Sequence, residues 1–593
     1  MLVLAALIVY SDSFHGPLIF DDVPSIMHTV EKQPWPVWHM LVGLRPVAQA
    51  TLALNYFIGG YRETGYHVVN LCIHILAALA LFGVIRRTLM LTSFGGRFDE
   101  KAATSLAFAV ALIWAIHPIQ TQAVTYVIQR LESLMGLFYL LTLYCFIRAG
   151  SSPKPLFWHA AAVAACALGM GSKEVMISAP LIVLLCDRSF VAGSFRAALK
   201  RRAFYIGLAA TWLILARSVI EAVNPHAVSA GFQYPDVTPF EYARSQPGVI
   251  LHYLALAFWP ANLCFDYGWP AADGLEQIAP GAIVIGGMLA ATVWALVRKP
   301  KWGFLGAWFF LILAPTSSVM PIKDLAVEHR MYLPLAAIAV AVIFAAYLAW
   351  ERCAGADATR RAAGQILATI LLLSATLALG HATFMRNKDY ASVMAIWSDT
   401  AKKAPLNPRA LNNLGWELRN AGDYPAALNY LNRAIELRPK YADAYNNLAY
   451  TYASMKRYDE AFVNCNKAIA LKPDLAAPYN NRGNLYAQRG DVQNALADFD
   501  QAISLKPGYH QAYNNRGVVY VKAGRYQEAI GDFDKAIEIM PEEPTPYRGR
   551  ASAYYALKDY ARALADLDTC AKLHGNVDPA LQKAVMQAAG QAH

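Results

Sequence analysis

Long apolar runs alternate with short polar loops through the first 385 residues of the chain. A helix needs roughly 20 predominantly apolar residues to cross a bilayer, and most of these runs approach that length. The pattern therefore predicts an all-α membrane domain with about eleven transmembrane helices, counting a short run at 1–10. The other ten runs lie near residues 67–85, 103–116, 131–147, 157–171, 175–187, 203–220, 279–297, 303–319, 331–350 and 364–385.

Three apolar stretches deviate from this pattern. Met1–Tyr10 has only ten residues, so we expect the first transmembrane helix to be truncated in this sequence. Pro247–Cys264 is apolar, but the charges of the neighbouring loops favour a re-entrant or surface segment over a span. Leu41–Gly60 is predicted to be an interfacial helix because four residues interrupt its apolar character, namely Arg45, Pro46, Gln49 and Asn55.

Lys and Arg are concentrated in certain loops between the runs. Cytoplasmic loops carry an excess of positive charge, and all these clusters share one side only if Pro247–Cys264 does not cross. The chain after residue 385 is then predicted to lie outside, together with Asp21, Asp22, His117, Lys173, Glu174, Asp266, Glu328, His329 and Arg330. The basic clusters include Arg86, Arg87, Arg97, Lys101, Arg148, Lys154, Arg188, Arg298, Lys299, Lys301 and Arg352.

The second half of the chain repeats with a period of 34 residues. Proline, small residues and tyrosine each recur at this spacing, as in Pro405, Pro439, Pro473, Pro507 and Pro541. This is the tetratricopeptide-repeat pattern, in which small residues let two antiparallel helices pack closely. We predict about five repeats stacked into a right-handed superhelix.

One asparagine recurs at the same spacing on the first helix of each repeat. It has two interpretations: a consensus surface position, or an inward row of amides that binds an extended peptide. Amides suit the second role because each can donate to and accept from a main chain of any sequence. The residues are Asn413, Asn447, Asn481 and Asn515, and we call them the amide ladder.

Composition agrees with two domains of different character. The chain has 593 residues, 56% hydrophobic and 16% charged, and its mean hydropathy is +0.29, which indicates a membrane protein. We predict a membrane domain at 1–388, a repeat domain at 389–577 and a tail at 578–593. The net charge of +10 sits in topology-setting loops and no nucleic-acid motif is present, so nucleic-acid binding is disfavoured. The eight scattered cysteines predict packing roles and no metal site.

The candidate chemistry is confined to polar residues in the loops predicted to face outward. No Gly-rich nucleotide loop, HExxH or nucleophile elbow is present, so a nucleotide-dependent enzyme is disfavoured. Each candidate also has a structural interpretation: Asp21 and Asp22 could cap a turn, and Lys173 and Glu174 could neutralise each other. The predicted gathering of these residues on one membrane face favours a functional site.

Four short motifs, followed by the repeats, resemble one known architecture. They are Phe20-Asp21-Asp22, the run from His117 to Val124, Ser172-Lys173-Glu174, and the run from Glu328 to Pro334. Over nearly its whole length the chain resembles the transmembrane and tetratricopeptide-repeat O-mannosyltransferases and their bacterial relatives, in the GT-C class of membrane glycosyltransferases. Gln122 departs from the pattern, because many relatives have an acidic residue there.

The resemblance implies an inverting transfer of sugar from a polyprenyl-phosphate donor to a Ser/Thr hydroxyl of an exported protein. It makes Asp21 the first choice of base, with Asp22 as orienting partner or alternative base. Basic groups near the phosphate would stabilise the departing charge. The candidates are Arg330, His329 and Lys173, with Glu328 and Glu174 beside them and with His117 and Arg130 as weaker choices.

The implied location is a bacterial inner membrane, with the active site and the repeats on the periplasmic side. The amide ladder would bind the acceptor polypeptide, and the sugar and any divalent-metal requirement stay open. Two alternatives remain at this point. One is a non-catalytic membrane scaffold whose repeats recruit partners for envelope or polysaccharide assembly, and the other is a transferase with a glycan or lipid acceptor.

Overall fold

The computed structural model of the chain describes residues 1–19, 22, 26, 45–216, 237–318, 320–355 and 357–591. Within these ranges every regular element is a helix, which confirms the predicted all-α class. The chain forms two compact units, Met1–Pro405 and Leu406–His593. The first unit therefore continues beyond residue 388 and includes a short helix at Val393–Lys403.

The first unit contains sixteen α-helices among the described residues. They are α1 Leu2–Val9, α2 Pro46–Gly59, α3 Glu63–Leu89, α4 Glu100–Ile116, α5 Thr121–Thr125, α6 Arg130–Ala149, α7 Pro155–Met170, α8 Ala179–Cys186, α9 Phe195–Ala198, α10 Arg202–Ala210, α11 Pro239–Phe258, α12 Leu275–Arg298, α13 Pro300–Leu313, α14 Pro334–Ala354, α15 Ala358–Lys388 and α16 Val393–Lys403. Short 3₁₀ turns at Pro118–Gln120, Glu174–Ser178 and Glu328–Met331 carry several of the candidate residues.

Five described helices are long and apolar enough to cross a membrane: Glu63–Leu89, Val127–Ala149, Leu275–Arg298, Pro334–Ala354 and Ala358–Lys388. A sixth is possible if Glu100–Ile116 and Pro118–Thr125, which meet at a bend of 55°, form one span. Three further apolar helices have only 10–17 residues, namely Pro155–Met170, Arg202–Leu215 and Pro300–Leu313. The predicted number of eleven spans is therefore not confirmed, because several apolar runs form helices shorter than the bilayer core requires.

A group of buried contacts surrounds Tyr332 in the first unit. The His74 imidazole bonds the Tyr332 hydroxyl at 2.9 Å through Nδ1 and the Ala115 carbonyl at 2.9 Å through Nε2. The Trp114 indole N–H donates to the Tyr332 carbonyl at 2.7 Å. The Tyr332 ring packs so closely on Gly136 that a Cβ there would lie 2.5 Å from it. These contacts fix the chain just after Glu328–Met331 against α3, α4 and α6.

The second unit consists of helix pairs, as the 34-residue period predicts. The helices are α17 Pro408–Asn420, α18 Tyr424–Leu437, α19 Ala442–Ser454, α20 Tyr458–Leu471, α21 Ala476–Gln488, α22 Val492–Leu505, α23 His510–Lys522, α24 Tyr526–Ile539, α25 Pro544–Ala556, α26 Tyr560–Lys572 and α27 Pro579–Gln591. The five pairs from α17 to α26 confirm the five predicted repeats. The regular spacing of small residues has a direct cause: a Cβ on Gly483 or Gly517 would lie 2.9 Å from the phenylalanine of the partner helix.

Candidate functional site

A cluster of basic side chains lies in the first unit and comes from three separate segments of the chain. We define it as Arg45, Lys173, His329 and Arg330 and call it the basic cluster. Burial lowers the pKa of His329 well below its ordinary value, and the charges of Lys173, Arg330 and Arg45 lower it further. The three cations thus act on one imidazole, although Arg45 and Lys173 are far from His329 in the sequence.

Two carboxylates hold two of these cations in place. Lys173, only 9% exposed, donates through Nζ to the buried Glu132 carboxylate. Arg45 forms a bidentate pair with Glu174, with distances of 2.9 Å from Nε and 3.1 Å from a terminal nitrogen. Burial alone would raise the pKa of Glu174, but Arg45 outweighs it and the pKa lies below its ordinary value. Lys173 and Glu174 thus pair with other residues, which replaces the interpretation that they neutralise each other.

The backbone at Arg45 is in the left-handed region, with φ of 55°. A non-glycine residue adopts this conformation only where its surroundings hold it there. The pair with Glu174 supplies one restraint, and the Val47 N–H, which donates to the Gly171 carbonyl at 2.9 Å, supplies another. The strained turn therefore joins the start of α2 to the loop that carries Lys173.

Gln122 fixes the orientation of His329. Its Nε2 donates to the Phe265 carbonyl at 3.1 Å, and its Oε1 accepts from the His329 backbone N–H at 3.0 Å. These two backbone partners determine which end of the amide is oxygen. The same oxygen lies 3.1 Å from His329 Nδ1, which must therefore carry the proton. In the neutral form of His329, Nε2 is then the ring nitrogen that can accept a hydrogen bond or a proton.

Arg330 is 5% exposed and is oriented by backbone oxygens. Its two terminal nitrogens donate to the Leu325 carbonyl at 2.8 Å and the Asp324 carbonyl at 2.6 Å. The basic cluster therefore contains three cations: Lys173 is paired with Glu132, Arg45 with Glu174, and Arg330 lies within electrostatic range of Asp324. Charged N–H groups of this kind can donate to an anion such as a phosphodiester.

Glu328 belongs to a neighbouring network and faces away from the basic cluster. Its Oε1 accepts from the Tyr267 hydroxyl at 3.1 Å and lies 3.5 Å from a terminal nitrogen of Arg386. Burial raises the pKa of Glu328, and Arg386 opposes that rise. Arg386 also contacts Asp389 and Asp399, each at 2.9 Å. The buried Glu328 Oε2 has no hydrogen-bond partner among the described residues.

Asp22 is fully buried and is bonded by backbone groups at both oxygens. Oδ2 accepts from the Ile19 N–H at 2.9 Å, and Oδ1 accepts from the Ile128 N–H at 2.7 Å. Asp22 also lies within electrostatic range of Arg130, a buried guanidinium that donates to Asn70 Oδ1 at 2.6 Å and to the Tyr66 carbonyl at 3.0 Å. Asp21 lies outside the described residues.

His117 lies apart from the basic cluster. Its Nδ1 accepts from the Ile119 N–H at 3.3 Å, and its Nε2 donates to the Ala257 carbonyl at 3.2 Å. Both ring nitrogens thus bond backbone groups, one just after α4 and one on α11. Asp266 is buried and accepts from the Gly268 N–H at 3.0 Å. Among the described residues, no three His, Cys, Asp or Glu side chains cluster as metal ligands would.

The amide ladder lines a cavity of about 610 Å³ in the second unit, together with a second row of amides. Each of the last three ladder residues donates through Nδ2 to the second row of the preceding repeat. The pairs are Asn447 to Asn412 at 2.9 Å, Asn481 to Asn446 at 2.9 Å, and Asn515 to Asn480 at 3.0 Å. Each of these donors keeps a second N–H, and Asn514 Oδ1 is buried without a partner among the described residues.

Sequence reasoning did not select three of the residues that organise the first unit: Arg45, Glu132 and Arg386. Glu132 had a recognisable signal, because an acidic residue inside a predicted transmembrane run is functional by default. Arg386 follows the last apolar run, as many topology-setting arginines do, so its burial had no sequence signal. Arg45 stood out only as a break in an apolar stretch.

Comparison with known proteins gives two results. Tetratricopeptide-repeat family models match residues 415–456, 442–475 and 480–547. The chain is 24% identical over 492 residues to the mouse protein O-mannosyl-transferase TMTC4, covering 72% of this chain and 64% of that protein. It is 22% identical over 520 residues to Drosophila melanogaster protein O-mannosyl-transferase Tmtc3, covering 73% of this chain and 54% of that protein.

The chain therefore matches less than two thirds of the length of these relatives. Among solved structures, Pseudomonas aeruginosa PilF is similar with 22% identity and a TM-score of 0.29, over 31% of this chain and 84% of PilF. The family models identify the repeats of the second unit, and the two relatives extend the similarity into the first unit. Together they confirm that this chain resembles the transmembrane and tetratricopeptide-repeat O-mannosyltransferases.

Proposed function

We propose that this chain transfers a sugar from a polyprenyl-phosphate donor to a Ser/Thr hydroxyl of an exported protein on the extracytoplasmic face of the membrane. The observation that carries this proposal is the basic cluster: Arg45 is paired with Glu174, the residue after Lys173, and the charges of Lys173, Arg45 and Arg330 all act on His329. The relatives are named protein O-mannosyl-transferases, so mannose is the first sugar to test.

The donor phosphate would bind at the basic cluster. The sugar leaves a lipid phosphate, which gains negative charge as the bond to the anomeric carbon breaks. Cations already held in position stabilise that charge without reorganisation. Lys173 and Arg45 are held by Glu132 and Glu174, so the cluster is preorganised before the donor arrives. In an inverting reaction the acceptor oxygen forms its bond on the opposite face of the sugar while the phosphate departs with the electron pair.

The acceptor hydroxyl needs a base, and Asp21 is proposed for this role. Asp22 suits the supporting role, because its two oxygens accept backbone N–H groups from Ile19 and Ile128 and so fasten the first outer loop. A residue used in this way orients its neighbours more readily than it accepts a proton. His329 Nε2, whose partner nitrogen is fixed by Gln122, could receive a proton near the phosphate.

The second unit would hold the acceptor polypeptide along the amide ladder. The spare N–H groups of Asn447, Asn481 and Asn515 and the unpartnered Asn514 Oδ1 match the carbonyls and N–H groups of an extended main chain. This recognition would be independent of the side-chain sequence of the acceptor.

The test is a transfer assay with the purified full chain. Polyprenyl-phosphate mannose, glucose and N-acetylglucosamine are each supplied with co-expressed exported proteins, and the acceptor is measured by intact mass. We expect a mass increase of one sugar residue from one of these donors. Transfer to a free glycan or lipid, with exported proteins unmodified, would instead support a different acceptor class. No transfer from any of the donors would contradict the proposal.

A further inference from the structure

An apolar cavity of about 320 Å³ lies in the first unit, and none of the basic-cluster residues lines it. Helix α3 runs between this cavity and Arg130: Tyr66, whose carbonyl accepts from Arg130, lies near the start of the helix, and Ile85, which lines the cavity, lies near its end. The helical rise places Tyr66 and Ile85 about 28 Å apart. The lining of the cavity is therefore different from that of the proposed catalytic site.

The walls of the cavity come from α3, α6, α13 and α14, from the segment after α3, and from the end of α8 with the turn that follows it. They are apolar and include Leu81, Leu143, Phe190, Trp308 and Phe344. Its size falls within the range of sites that bind small apolar molecules. A gap of this kind leaves its lining side chains without dispersion partners on one side, and a hydrocarbon chain would supply them.

Two cations are part of the same lining, Lys301 and Arg97. Lys301 Nζ donates to the Ser93 carbonyl and lies 4.2 Å from the centre of the Phe94 ring, and no described carboxylate pairs with it. Arg97 donates to Glu351 at 2.5 Å, but its side chain is 49% exposed and retains further N–H donors. An apolar cavity with a net positive charge at its rim is complementary to an amphiphile with an anionic headgroup.

The surrounding charge supports the same occupant. Arg97 lies between α3 and α4, and it belongs with Arg86 and Arg87 at the end of α3 and Lys101 at the start of α4 to one of the basic clusters predicted to face the cytoplasm. Anionic lipids are enriched in that leaflet, and basic pockets between transmembrane helices bind their headgroups there. We propose that this cavity binds one acyl chain of an anionic phospholipid from the bilayer, with the lipid phosphate held by Lys301 and Arg97.

The test uses native mass spectrometry of the detergent-purified full chain after incubation with equal amounts of palmitoyl-oleoyl phosphatidylglycerol and phosphatidylcholine. We expect one phosphatidylglycerol per chain, retained in clear preference to phosphatidylcholine. Lys301→Gln should lower that retention about fivefold, as the loss of one cation near an anionic lipid predicts. Lys299→Gln is the matched control, because it removes the same charge from an exposed neighbour that does not line the cavity, and it should change nothing.

A second measurement locates the acyl chain in the unmodified protein. Phosphatidylglycerol with a photoreactive group in its acyl chain should label peptides of α13 and α14, and excess glycerol phosphate should not prevent the labelling. Equal retention of both lipids, equal loss in Lys299→Gln and Lys301→Gln, or labelling elsewhere would each overturn the proposal.

Discussion

Gln122 Oε1 accepts two hydrogen bonds from His329, one from the backbone N–H at 3.0 Å and one from ring Nδ1 at 3.1 Å. A neutral amide therefore sets the tautomer of the imidazole at the centre of the basic cluster. A carboxylate at position 122 would instead stabilise an imidazolium at His329.

The first prediction concerns the pH dependence that follows from this contact. Burial and the charges of Lys173, Arg330 and Arg45 lower the pKa of His329, so the unfolded chain binds a proton there before the folded chain does. The contribution of His329 to stability is then complete above the ordinary histidine pKa of about 6.5 and is lost as the pH falls below it. Gln122→Glu should raise the pKa of His329 and reduce that loss.

Thermal unfolding at pH 7.5 and pH 5.5 measures the effect. The decrease in melting temperature between the two pH values should be smaller in Gln122→Glu than in the unmodified chain. His329→Asn lacks the titrating group, so adding Gln122→Glu to it should produce no such improvement. An equal improvement with and without His329 would contradict the assignment.

The second prediction concerns the buried pair of Lys173 and Glu132. Lys173→Gln alone leaves the Glu132 carboxylate uncompensated, which costs about 3–5 kcal/mol when a buried pair is broken in this way. Lys173→Gln/Glu132→Gln should recover most of that stability because no buried charge is left unpaired. Denaturation midpoints of Lys173→Gln, Glu132→Gln and the double variant, compared with the unmodified chain, give the coupling free energy of the pair in a double-mutant cycle. If the stability losses of the two single variants simply add up in the double variant, the two side chains do not stabilise the fold as a pair.

The third prediction concerns the repeats. Arg516 forms a bidentate pair with Asp532, with distances of 2.8 and 2.6 Å, and the same pair recurs as Arg482 with Asp498 and Arg550 with Asp566. Arg516→Ala should destabilise its repeat by about 1.5–3 kcal/mol, because each hydrogen bond between charged groups in a partly buried site contributes measurably. Hydrogen exchange of peptides from α23 and α24 should accelerate accordingly.

Lys535→Ala is the control for that experiment. Lys535 pairs with Glu538 three residues away, but both side chains are exposed, so exchange in α24 should not change measurably. Similar acceleration in both variants would contradict a structural role specific to the Arg516 pair.

The fourth prediction concerns the amide ladder. Asn447→Ala/Asn481→Ala should reduce transfer to a protein acceptor by raising KM about tenfold or more, since two hydrogen bonds to the bound chain are lost. The rate at saturating acceptor should change little. Asn429→Ala, an exposed asparagine on α18 outside the cavity, is the control. A fall in kcat with unchanged KM would place the ladder outside acceptor binding.

The sequence predicts the repeats almost completely, because their period appears in every unit and each small residue has a local packing cause, as Gly517 against Phe533 shows. It also predicts Lys173, His329 and Arg330 as site residues. The contacts between segments had no sequence signal. The partner of Glu174 is Arg45, which is 129 residues away, and Glu328 contacts Arg386 although the two residues that follow it belong to the basic cluster.

The row of amides shows the same limit within the repeats. The period identifies Asn413, Asn447, Asn481 and Asn515. It does not identify their partners, because each of the last three donates to an asparagine of the preceding repeat that lies 35 residues earlier in the chain. In the last repeat Gly549 takes the ladder position, while Arg550 continues the arginine series of Arg482 and Arg516. The Arg–Asp pairs stabilise the solenoid itself. They therefore continue into the last repeat, which has no asparagine at the ladder position.

Transfer of mannose from polyprenyl-phosphate mannose to a co-expressed exported protein, measured by intact mass, tests the central claim most directly. The comparison is between the unmodified chain, Lys173→Gln/Glu132→Gln, and the exposed-loop control Lys154→Gln. If the basic cluster stabilises the departing phosphate, the double variant should fold, bind acceptor and lose about a hundredfold in rate, while the control retains full activity. Full activity in the folded double variant would contradict the account.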